Sequence, residues 1–134
     1  MSFAKSSSIY ALAIGIMMLC MWVFFIIAGM VPEFESRPVE ITLHLVAEFA
    51  TAGALIFSGI IMLRKNPIGK WFYPLSMGML LYTLVVSPGY YIQSGDYSFV
   101  IMFGVLIILS LVFLGIHLKH IRNNSFKLGG NTDD

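Results

Sequence analysis

With 58% hydrophobic and 11% charged side chains in 134 residues, a mean hydropathy of +0.87 and a net charge of +1, the chain is too apolar for an ordinary soluble domain. Once the apolar runs are set aside, no segment could build a separate soluble core, and no basic stripe with interleaved aromatics points to nucleic acid. The single cysteine, Cys20, excludes an intrachain disulfide and a CxxC motif, and in the middle of an apolar run it reads as an inert small hydrophobe.

Four spans are expected, at about residues 9–30, 41–63, 71–86 and 97–118. The first carries no charge, and at about 1.5 Å per residue it matches a hydrocarbon core of roughly 30 Å. It is too long for the apolar part of a signal peptide, and Leu19 before Cys20 does not suit a lipoprotein site. The next ten residues, VPEFESRPVE, hold two prolines and three glutamates, so the chain leaves the bilayer and turns. Pro38 suits the first turn of the second span, and Glu40 complements its positive dipole end. The basic turn RKNPIGK (64–70) leads to the third span, with Pro74 expected in its first turn, where a missing amide donor costs little. SPGYYIQSGD (87–96) is a turn, and the fourth span ends in His117, Lys119 and His120.

The fold class predicted is therefore an all-α, up-down-up-down bundle of four transmembrane helices. Residues 1–118 form one domain, and residues 119–134 a polar cytoplasmic tail expected to be disordered. If the chain starts in the cytoplasm, Lys5, Arg64, Lys65, Lys70, Lys119, Arg122 and Lys127 fall on the inner side, against only Arg37 outside. That asymmetry places both termini in the cytoplasm, in the plasma membrane. Tyr10, Trp71, Phe72 and Tyr73 would anchor the inner interface, and Phe34, Tyr90, Tyr91 and Tyr97 the outer one.

Glu40, His44 and Glu48 recur every four residues and form a stripe along one face of the second span, which puts Glu48 roughly 12 Å below the outer surface. A carboxylate at that depth must face the bundle interior and be protonated, paired or wetted. It marks either a functional site or a structural hydrogen bond to a neighbouring helix. Counting from the helix ends puts Trp22 near the depth of Glu48, and Tyr82 near that of His44. With Tyr90 and Tyr91 these residues would line an outward-facing ligand pocket. As a metal site, Glu40, His44 and Glu48 form only a weak candidate, since one helix face seldom supplies three ligands and no second His or Cys lies at that depth.

Ala50, Ala54 and Ser58, on another face, allow a close approach by a helix of the same chain, a second copy or a partner protein. His117 and His120 suit the helix dipole and lipid headgroups. No pair of histidines at matching depth could clamp a haem, and the chain has no phosphate loop, HExxH or GxSxG. No cofactor is predicted. Three functions stay open: a protonatable Glu/His site that binds or transports a small or lipid-like ligand, a non-catalytic accessory subunit, and a membrane enzyme acting on quinone or lipid with Glu48 and His44 as acid and base.

Overall fold

The computed structural model describes residues 3–95 and 97–129, the side chains of Phe3, Tyr90, Ser94 and residues 124–129 excepted. Its elements are α1 (Phe3–Ile27), α2 (Glu33–Ser36), α3 (Pro38–Leu63), α4 (Gly69–Val86), α5 (Pro88–Ser94) and α6 (Tyr97–Gly129), with no strand among the described residues. Four stretches are long and apolar enough to cross a membrane: Ala4–Ile27, Pro38–Leu63, Gly69–Gln93 and Tyr97–Asn123. The protein is thus an all-helical, multi-pass membrane protein built as a four-helix bundle.

Its exterior is apolar and much of its interior is not. Phe24, Ile27, Leu43, Val46, Leu75 and Ile101 point outward, while Ser7, Ser8, Glu48, Thr51, Ser58, Ser76, Thr83, Ser110 and His117 are buried. Hydrocarbon outside accepts the first set, and only protein inside can satisfy the second. One core joins the helices, through Ala11, Ile14, Met18, Leu55, Tyr73, Met77, Leu80 and Phe103. At one end, called here the acidic end, lie α2 and Glu40. At the other, the basic end, the start of α1, the 64–68 turn and the last turns of α6 come together.

The helix limits depart from the expected spans for local reasons. Helix α1 begins at Phe3, six residues early, because Ser8 caps its own polarity by donating to the Ala4 carbonyl (2.7 Å). It ends at Ile27 rather than Met30, because Gly29 takes φ +65° and the Met30 and Gly29 amides donate back to Phe25 and Ile26. Lys65, at φ 54°, closes α3 in the same way, with the Asn66 amide on the Ile61 carbonyl. The expected disordered tail is corrected in part: α6 runs on to Gly129, well past Leu118, and residues 130–134 lie outside the described residues.

Helices α1 and α3 make the tightest seam. A methyl group on Gly59 would lie 2.6 Å from Leu12 Cγ and 2.9 Å from the Ser8 carbonyl oxygen, and one on Gly15 would lie 2.9 Å from the Ala52 carbonyl oxygen. Glycine is required there so that the two backbones can touch. Gly59→Ala is therefore expected to lower the thermal midpoint in detergent, by an overpacking cost of about 1–3 kcal/mol. Gly53→Ala, with nothing within 4 Å, should be neutral or slightly stabilising. An unchanged midpoint for Gly59→Ala would mean that α1 and α3 do not meet in this register.

Candidate functional site

The α1–α3 seam brings Trp22 across to Glu48. The indole N–H of Trp22 donates to Glu48 Oε2 at 3.1 Å, although the two residues are 26 apart in sequence. On the same face of α3, one turn toward the acidic end, His44 places Nε2 3.8 Å from Glu48 Oε1. That is close enough for charge attraction if the imidazole is protonated and too long for a hydrogen bond. The Trp22 and His44 rings also meet edge to face, with centroids 5.6 Å apart.

Glu48 is therefore half satisfied. One carboxyl oxygen has its donor, while Oε1 is buried without any hydrogen-bond partner. Leaving such an acceptor bare costs about 1–3 kcal/mol, so the arrangement has room for a donor brought by a ligand. The walls around it are apolar: Trp22, Phe25 and Phe49 pack against a small cluster of Val31, Ile41 and Leu45. His44 is the partly open side, with 31% of its side chain exposed against 5% for Glu48.

The other expected lining residues lie elsewhere. Tyr82 is turned outward, 67% exposed, in an open and mostly apolar groove between α3 and α4 formed with Ala47, Thr51, Leu75 and Gly78. Tyr91 stacks on Phe99 of α6 and meets Phe103 at a tilt. The side chain of Tyr90 lies outside the described residues. Glu40 is exposed and pairs with Arg37 at 3.3 Å, so it does not converge with His44 and Glu48. Among the described residues no three His, Cys, Asp or Glu side chains are grouped to hold a metal ion. The Ala50, Ala54, Ser58 row is split as well. Ala50 is exposed, but Ser58 is fully buried and its hydroxyl accepts from Ser76 at 3.0 Å within the bundle. The small residues that do bring helices together are Gly15, Ala52 and Gly59.

A second polar region, at the basic end, had no counterpart in the expected site. Pro74 lies inside α4, because the helix starts at Gly69 and not near Trp71. Residue 74 has no N–H, so the Lys70 carbonyl loses the donor that an α-helix would supply. His117 of α6 takes that place, with Nε2 3.1 Å from the Lys70 oxygen. A carbonyl only accepts, so Nε2 carries the proton in this contact. His117 is accordingly 7% exposed and faces the interior, which corrects its expected position among headgroups. Tyr73, expected at the interface, is fully buried with its ring 4.5 Å from that of His117. Its hydroxyl makes no hydrogen bond of good geometry, although buried Ser7 approaches it. Nearby, the Tyr10 hydroxyl pairs with Ser110 at 2.8 Å and its ring stacks on Phe113.

Pro74 and His117 should therefore be energetically coupled. His117→Ala strands the Lys70 carbonyl, a loss of about 1–3 kcal/mol, whereas in the Pro74→Ala background the restored amide serves that carbonyl and the loss should shrink. Unfolding in detergent measures the cycle. Equal losses in the two backgrounds would show that His117 does not serve this carbonyl.

The family described as Domain of unknown function (DUF8058) matches residues 1–128, nearly the whole chain. Neither a curated protein nor a solved structure matches it.

Proposed function

We propose that this chain, which belongs to the DUF8058 family, binds a small or lipid-like ligand at an intramembrane carboxylate, Glu48, and exchanges a proton there as the ligand comes and goes. The observation that carries the reading is the bare Oε1 of Glu48, a buried acceptor beside a partly open histidine. Intramembrane carboxylates are expensive, and they recur where a protein handles ions, protons or ligands. A protonated Glu48 buries no net charge when the site is empty. A ligand that brings a hydrogen-bond donor or a cation can replace that proton, while Trp22, Phe25 and Phe49 offer aromatic surface to its apolar part. His44, at the open side, is placed to pass the proton between Glu48 and water.

The charge asymmetry supports cytoplasmic termini and a site nearer the external surface of the membrane the chain spans. A long-chain alkylamine, with one cationic donor and an apolar tail, is the simplest probe of this chemistry.

Binding of a fluorescent long-chain alkylamine to the purified protein in nanodiscs should weaken at least tenfold in Glu48→Gln, about 1.4 kcal/mol, and should lose its dependence on pH. His44→Gln should keep the affinity within a few-fold but slow proton release. Wild-type affinity and pH profile in Glu48→Gln would overturn the reading. Unchanged binding with a lower thermal midpoint would instead make the Trp22–Glu48 bond a packing contact.

A further inference from the structure

The basic-end cluster is not used by the reading above, yet it is the better-buried of the two polar regions. Tyr73, Ser7, Ser8, Ser58, Ser76 and Ser110 are all at most 1% exposed. Most of their hydroxyls are tied: Ser8 to Ala4, Ser58 to the Leu55 carbonyl, Ser76 to Ser58 and to the Tyr73 carbonyl, and Ser110 to Tyr10. Two chemical capacities are left over. One is the Tyr73 hydroxyl, which Ser7 approaches without a hydrogen bond of good geometry. The other is Nδ1 of His117, which follows from the contact that fixes Nε2–H on the Lys70 carbonyl: a neutral imidazole with its Nε2 proton so held has its lone pair on Nδ1.

The bond between Ser58 and Ser76 also fixes the register of α3 against α4. Seven residues along each antiparallel helix, toward the acidic end, that register sets Thr51 opposite Thr83, both buried. Between the two hydroxyl layers lie about 10 Å of helix, filled by Ile14, Met18, Ala52, Leu55, Met77 and Leu80. The bundle thus has a polar compartment with a titratable group at each end, Glu48 in one and His117 in the other, and an apolar layer between them.

We propose that His117 with Tyr73 is a second proton-exchange site, so that a proton bound at Glu48 on one side of the apolar layer is delivered to, or drawn from, His117 on the other. This rests on the reading of Glu48 as a proton-binding site and extends it to movement across the bundle. Each transfer is a simple proton exchange. Glu48 loses the proton from its carboxyl and becomes a carboxylate, and Nδ1 of His117 gains it and the imidazole becomes an imidazolium; release to water at the basic end returns His117 to the neutral imidazole, and uptake of a proton from water at the acidic end returns Glu48 to the protonated carboxyl. Transient hydration of the layer carries the proton between them, so conduction is slow and depends on helix motion.

The titratable groups next to His117 are Tyr73 on α4 and His120 one turn along α6, and Tyr10 on α1 acts on Tyr73. The charged groups of α4 and α6 nearest it in sequence, Lys70, Lys119 and Arg122, are exposed cations. Every described carboxylate lies on α2 or α3 toward the acidic end, so among the described residues none faces His117.

The test is proton flux into liposomes holding the purified full-length chain, driven by a potassium diffusion potential and read by an internal pH dye. Wild type should exceed empty liposomes, and Glu48→Gln and His117→Gln should each cut the flux at least tenfold. The Gln amide in His117→Gln can still donate to the Lys70 carbonyl, so its thermal midpoint and helicity should stay at wild-type values. Tyr73→Phe should lower the flux by a smaller factor and leave its pH midpoint in place. If Glu48→Gln abolishes alkylamine binding while His117→Gln and Tyr73→Phe conduct like wild type, the second site is overturned and the ligand reading stands. If wild type conducts no better than empty liposomes, proton movement across the bundle is overturned whatever the binding assay shows. If His117→Gln unfolds, a flux in Tyr73→Phe equal to wild type overturns the proposal.

Discussion

The candidate site depends on how closely α1 and α3 approach one another. Gly15 and Gly59 remove the side chains that would hold the two backbones apart, and the resulting seam sets the register of one helix on the other. In that register Trp22 stands opposite Glu48 and can reach it with its indole N–H. A separation larger by even one methyl group at the seam would break that reach. The small side chains far down the bundle are therefore part of the geometry of a carboxylate nearer the other end.

The second constraint is that a hydrocarbon surrounding leaves polar groups only each other. The hydroxyls of Ser8, Thr42, Thr51, Ser58 and Thr83 each donate to a carbonyl in the preceding turn of their own helix, and Ser76 shares its one proton between the Tyr73 carbonyl and Ser58 Oγ, which neutralises them cheaply. Glu48 Oε1 and the Tyr73 hydroxyl are the buried exceptions among the described residues. Exceptions of this kind are costly enough to ask for a reason, and they fall in the two places where titratable side chains gather.

Much of the architecture is legible in the residues alone. Four apolar runs, Pro and Gly in the connections and a carboxylate in the second run give four spans and single out Glu48, because composition and length govern insertion in a bilayer. Trp22 could be matched to Glu48 by counting depth, since helix rise is regular. Tyr82 and Tyr91 could not be placed in this way, because depth says nothing about which way a side chain faces around its helix. Hydropathy reports where lipid is, and α1 and α4 begin before it: Ser6 to Ser8 and Gly69 to Lys70 are helical and polar or small. That earlier start puts Pro74 inside α4, and the role of His117 follows from it and not from hydropathy.

The contact between His117 and the Lys70 carbonyl also bears on how such a chain can change over time. A proline at position 74 and a donor at position 117 are acceptable together, because each answers a defect that the other alone would leave. Drift at either position is therefore conditional on the other, and two sites 43 residues apart in the chain behave as a single heritable character. A lineage that lost the proline would release the Lys70 carbonyl from its need for the histidine, whereas loss of the histidine first would be the unfavourable order.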